Sequence, residues 1–157
     1  MIRRGLFFTA GALVGVLALC GKARASETGG LSGTAFVSPV KAIRAIMGEA
    51  EGESFEGKRA IAHALLNRSN MAYYRRVGVF SGVYGLDRKI NAGGLRRTQA
   101  DCKKAWTQAL KEPDNTNGAT VWGTDADVLK FKKQAWFKKY RLTKRIGAHN
   151  FFRMVKS

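Results

Sequence analysis

Between Pro39 and Ser69 apolar residues recur twice at helical spacing, and the junction of the two stretches gathers Glu49, Glu51, Glu53 and Glu56 in a chain with only 11 Asp+Glu against 28 Lys+Arg. Val40, Ile43, Ile46, Met47 and Ala50 give the first stretch one apolar face. Ser38-Pro39 reads as an N-cap followed by proline at the first helical position, and Gly52 is expected to end the helix. A second helix is expected from Glu56 to Ser69, with Ile61, Ala62, Leu65 and Leu66 as its buried stripe. Joined by a short Gly-Glu-Ser-Phe turn, the two should pack as a hairpin with the carboxylates at their junction. Acid in so basic a chain calls for a chemical reason, and the simplest is a cleft carboxyl group that delivers a proton. Glu49 falls at the helix end beside the apolar face. For Glu51 and Glu56 a solvated helix terminus explains the charge equally well.

The N-terminus points to export. Arg3 and Arg4 precede an apolar run from Leu6 to Leu19, and Ala23-Arg24-Ala25 supplies an A-x-A cleavage pattern. At 14 residues the run falls short of the roughly twenty that a spanning helix prefers. We therefore expect 1–25 to be a cleaved signal peptide, 26–37 a flexible Gly/Ser/Thr-rich leader, and 38–157 one domain. The alternative is an uncleaved, releasable anchor, since Gly11, Gly15 and Gly21 with Ala10, Ala12 and Ala18 keep the segment weakly hydrophobic. In that case Cys20, once released, could pair with Cys102. Cleavage would remove four cations and take the net charge from +17 to +13. Such a charge calls for an anionic partner, and export favours an envelope surface over nucleic acid. With only His63 and His149, and no C-x-x-C, H-E-x-x-H or EF-hand loop, no metal or other cofactor is expected. A G-x-S-x-G elbow and a phosphate-cradling glycine loop are also absent.

Downstream, Gly78 to Gly94 reads as a loop, with a short hairpin expected at Val79 to Tyr84. A third helix is expected from Thr98 to Glu112, stopped by Pro113, with Ala105, Trp106, Ala109 and Leu110 facing inward. Ala119 to Trp122 reads as a short strand. From Lys130 to Arg145, eight basic residues alternate with Phe131, Trp136, Phe137 and Tyr140. That pattern suits a basic surface with an aromatic core or sugar-stacking stripe better than a nucleic-acid clamp, because no nucleic-acid recognition motif accompanies it. Its lysines are expected to hold the protein to an anionic polymer without taking part in the chemistry.

Three blocks of the sequence together resemble the SleB-type cell-wall hydrolases. The stretch from Gly48-Glu49-Ala50-Glu51-Gly52-Glu53 to Asn67-Arg68 is similar to the family's GEA-x-GE, EGQ-x-A and closing Asn-Arg. Gly118-Ala119 followed by Trp122 resembles its GA-plus-aromatics strand, and Ile146-Gly147-Ala148-His149-Asn150-Phe151-Phe152 its closing IG-x-H-x-F. Lys58 departs from the family's Gln, and Gly123-Thr124 from its Asn-Pro. The blocks occur in the family's order across about residues 40 to 153.

The resemblance implies an α+β, predominantly α, lysozyme-like single domain related to the lytic transglycosylases, with a short β element. It further implies action on the MurNAc–GlcNAc bond of peptidoglycan by a single Glu acting as acid and base, in a host enzyme or a phage endolysin. By motif the acid is Glu49, with Glu53 in reserve, and Asn67, Trp122 and His149 are implied substrate-binding positions. Hydrolysis would need a second carboxylate, Glu53 or Asp87, as base. A monomer is expected. The competing reading is an exported basic protein that binds wall polymer or nucleic acid through Lys130 to Arg145 without catalysis.

Overall fold

Proline's fixed φ and missing N–H suit a helix start, and Pro39 opens α1 (Pro39–Glu49), although the Ser38 side chain makes no capping hydrogen bond. The structure is a computed structural model that describes residues 37–86 and 95–155, all in one structural unit. The expected export segment with Cys20, the leader apart from Val37, and Asp87 lie outside the described residues. α1 ends at Glu49, three residues before Gly52, where the Ala50 N–H closes the last turn on the Ile46 carbonyl. α2 (Phe55–Ser69) is capped by Ser54, whose hydroxyl accepts from the Gly57 N–H.

Ten of the 15 residues of α2 are buried, so it is the central helix and not a half-solvated one. Its alanines at 60, 62 and 64 leave room for neighbours on several sides, and of these only Ala62 belongs to the expected stripe. α1 and α4 (Leu95–Ala109) pack against it, and α4 contributes Cys102, Ala105, Trp106 and Ala109 to the buried set. Val40 and Leu110, both expected inside, are 78% and 57% exposed. The helix expected at Thr98 begins at Leu95 and ends at Ala109. α3 (Ala72–Val77) was not anticipated. In place of the hairpin expected at Val79 to Tyr84 there are turns and a 3-10 turn, Tyr84–Leu86. Cys102 is fully buried, and burial pushes its thiol up to about 11, which disfavours the reactive thiolate.

β1 (Val121–Gly123), β2 (Tyr140–Ile146) and β3 (His149–Met154) form an antiparallel sheet in the order β1-β3-β2. Alternation along the strands divides the sheet between two cores. Trp122 and Phe151, partners in register, enter the helical core, while Val121 and Phe152 join Phe137 and Tyr140 beneath Phe131. The second face is covered by α5 (Asp125–Lys132) and a 3-10 helix, Ala135–Lys139. The run from Lys130 to Arg145 is therefore a helix end, a 3-10 helix and a strand. Gly147, at φ +56, makes the tight β2–β3 turn. Among the described residues no helix is long and apolar enough to cross a membrane.

The 114–118 turn is tied to α2 through Asp114. Burial raises this carboxyl, but hydrogen bonds from the Thr116 hydroxyl, the Gly118 and Thr116 N–H groups and the Asn67 amide outweigh burial and hold it below the usual carboxylate range. A depressed folded-state pKa contributes stability above the unfolded value, near 4, and loses it as pH falls through the folded value. Urea denaturation between about pH 5 and pH 3 should therefore show a shallower acid loss of stability in Asp114→Asn than in the parent. Identical slopes would contradict this.

Candidate active site

Two glycines bring the loop before residue 87 onto the end of α1. A Cβ on Gly48 would lie 1.9 Å from the Gly85 carbonyl oxygen, and one on Gly85 would lie 2.6 Å from the Glu49 nitrogen. Without side chains the backbones meet, and the Gly85 N–H donates to Glu49 Oε1 at 2.6 Å. The other carboxylate oxygen, Oε2, accepts from the Trp122 indole N–H at 3.2 Å. Glu49 is half-buried, so its carboxylate is held by two directed donors yet reachable.

Trp122 is itself fixed. The Arg68 guanidinium lies 4.3 Å from its ring centroid and 4.6 Å from that of Tyr74. Arg68 is 5% exposed and donates to the Thr120 carbonyl at 2.6 Å and to the Val79 and Ser81 carbonyls at 3.1 Å. Burial lowers its pKa, while Tyr74, Tyr140 and Glu49 act in the opposite direction; a guanidinium keeps its charge through such a shift. Glu49, Arg68 and Trp122 all line one cleft of about 1310 Å³. Tyr73 and Tyr84 from α3 and the 3-10 turn also line it, as do Phe131, Trp136 and Tyr140 from the aromatic cluster.

The fold has counterparts among solved structures. The catalytic domain of the Bacillus cereus SleB protein matches with a TM-score of 0.55 at 21% identity, covering 80% of this chain and 99% of that domain. The catalytic domain of the germination-specific lytic transglycosylase SleB from Bacillus anthracis matches with a TM-score of 0.51 at 24% identity, covering 75% and 97%. The chain has the fold of the SleB catalytic domain. Neither a scan of family profiles nor a comparison with curated proteins gives a match.

On this SleB-type fold, Glu49, Trp122 and His149 line the cleft, whereas Glu53 and Asn67 do not. The Glu53 side chain is 12% exposed, and its Oε1 accepts from the Ala148 N–H at 3.1 Å and meets His149 Nδ1 at 3.2 Å. It thereby ties the α1–α2 turn to the β2–β3 turn. A Cβ on Gly147 would lie 1.9 Å from Glu53 Oε2, so glycine is needed there for space as well as for φ. The ammonium of Lys58, one of the two departures noted in the sequence, donates to the Glu53 carbonyl. Removing this tether with Glu53→Ala should cost about 1–3 kcal/mol, because it leaves the buried His149 without its partner, while the exposed Ala148 N–H can turn to water. Urea denaturation reads the loss, and an unchanged midpoint would contradict it. Asn67 donates to Asp114, Thr116 and the Ala119 carbonyl at 3.0, 3.3 and 3.0 Å, fixing the turn that leads into β1.

Lys130 and Lys139 line the cleft, so the basic stretch is not a surface separate from it. Gly85, Tyr73 and Tyr84 were missed by sequence reasoning, and so was the part played by Arg68, although the Asn67-Arg68 pair was noted. Among the described residues no group of three or more His, Cys, Asp or Glu is placed to hold a metal ion.

Proposed function

We propose that this SleB-type domain cleaves the glycan strands of peptidoglycan at the MurNAc–GlcNAc bond, with Glu49 as both acid and base. The observation that carries the proposal is the Glu49 carboxyl group, set in an aromatic-lined cleft between the Gly85 N–H and the Trp122 indole N–H. The B. anthracis neighbour, described as a lytic transglycosylase, supports the reaction class.

In the first half of the reaction the Glu49 carboxyl gives its proton to the glycosidic oxygen as the bond to MurNAc C1 breaks, and GlcNAc leaves with a free 4-hydroxyl. Two N–H donors then face the carboxylate so formed, which stabilises the charge it carries at that stage. In the second half the carboxylate takes the proton of the MurNAc C6 hydroxyl as that oxygen bonds to C1. The product is a 1,6-anhydro sugar, and Glu49 regains its proton.

Hydrolysis would place a water at C1 and ask a second carboxylate to activate it. Among the described residues the only other carboxylate in the cleft lining is Asp127. Its Oδ2 accepts from the Thr124 N–H and hydroxyl in the capping box of α5, and its Oδ1 lies 3.5 Å from Lys130. The Thr124 hydroxyl, ahead of the opposing effect of burial, holds this carboxyl below its usual range. Asp127 is thus committed to its helix cap and is not a free base for an attacking water. The enzyme acts as an exported monomer that its positive charge draws to the anionic envelope. A suspension of purified peptidoglycan should clear on addition of the protein. Binding without clearing, lost steeply with salt, would support the non-catalytic binder instead.

A further inference from the structure

Trp136 is a ring that core packing does not account for. It is 45% exposed and lines the cleft, yet it is held by three other rings. Phe137 and Tyr140 each stand 5.5 Å away at 85° and 90°, and Phe131 lies 5.7 Å away. Contacts of this kind fix the orientation of an aromatic plate before anything binds to it, which lowers the ordering cost of binding. In a 3-10 helix residues i and i+3 eclipse, so Trp136 and Lys139 project from one side of Ala135–Lys139, and both line the cleft. Lys139 makes no ion pair among the described residues. The cleft lining sets Arg68, Lys130 and Lys139 against Glu49 and Asp127, and Asp127 already has Thr124 and Lys130 as partners.

We propose that Trp136 and Lys139 form a subsite that takes one sugar ring of the strand together with a free carboxylate of its stem peptide. The inference rests on the glycan-cleaving reading above. A pyranose ring presents an apolar C–H face that matches the exposed indole, and an anion beside it matches the adjacent ammonium. In an intact strand the lactyl carboxyl of MurNAc is amide-bonded to the peptide, so the free carboxylates near a sugar belong to the stem. The enzyme accordingly distinguishes strands that carry peptides from bare ones.

The test is equilibrium binding to the full chain carrying Glu49→Gln, which holds strands without cutting them. Three probes are compared: a GlcNAc–MurNAc tetrasaccharide bearing its stem peptides, the same tetrasaccharide stripped by an amidase so that only lactyl carboxylates remain, and neutral chitotetraose. Adding Lys139→Gln should weaken binding of the peptide-bearing probe about fivefold and of the other two less than about twofold. Adding Trp136→Leu should weaken all three about tenfold. Equal weakening of all three probes by Lys139→Gln, or of none, overturns the subsite. Weakening of the stripped probe as much as the peptide-bearing one overturns the stem peptide as the carboxylate source. If the Glu49→Gln protein binds none of the three, the glycan-cleaving reading fails with it, whereas binding of all three without discrimination removes only the subsite.

Discussion

Glu49→Gln is expected to leave the fold intact and to lower the rate of soluble muropeptide release at least about a hundredfold, the lower end of what a positioned general acid supplies. Glutamine keeps an oxygen to accept from the Gly85 N–H, so the loop stays against α1; its NH2 cannot accept from the Trp122 indole N–H, so that 3.2 Å hydrogen bond is lost, and an amide N–H is too weak an acid to protonate a glycosidic oxygen. Thermal unfolding of the variant should fall close to that of the parent, which separates loss of chemistry from loss of structure. Glu51→Gln should do little. Near-full activity in Glu49→Gln combined with its loss in Glu53→Gln would move the acid to the buried tether and overturn the assignment.

Gly48→Ala should have the second largest effect, against the usual trend. In a helix interior alanine is favoured over glycine by about 1 kcal/mol. Here the new methyl would lie 1.9 Å from the Gly85 oxygen and 2.5 Å from its carbonyl and α carbons, atoms of a backbone that cannot swing aside as a flexible side chain would. The 3-10 turn at Tyr84–Leu86 must move, and the Gly85 N–H leaves the Glu49 carboxylate. We expect a loss of about 1–3 kcal/mol in stability, typical of overpacking, and a fall in activity of about a hundredfold, the low end for a lost donor to catalytic charge. Gly52→Ala is the control, since a Cβ there meets nothing within 4 Å, and it should leave both quantities unchanged.

The helical hairpin and the place of Glu49 were legible because Pro39, the apolar spacing and the acidic junction are all local signals. The central position of α2 was not, because it depends on small residues such as Ala60 and Ala64 that lie outside the expected stripe of Ile61, Ala62, Leu65 and Leu66. β2 was hidden by composition. Its buried residues are Tyr140 and Ile146 at its two ends, and most of the residues between them are exposed, basic residues prominent among them, so the strand reads as a charged run. α5 carried a readable start in Thr124-x-x-Asp127, a capping box, but the lysines that follow drew attention to charge instead. At the site, Gly85 was visible only as one glycine of a loop, since its close approach to α1 and its N–H bond to Glu49 join positions 36 apart in the chain. Arg68 was visible as a motif residue. Its work of clamping Trp122 against Tyr74 depends on strands and turns far along the chain.

One carboxylate, Glu49, is expected to cut the strand by transferring the MurNAc end onto its own C6 hydroxyl. Mass spectrometry of the soluble products released from purified peptidoglycan reads this directly. Muropeptides ending in 1,6-anhydro-MurNAc are expected, 18 mass units lighter than their hydrated counterparts, the mass of one water. Products ending in reducing MurNAc or reducing GlcNAc, or peptides released without any cut in the glycan, would contradict it.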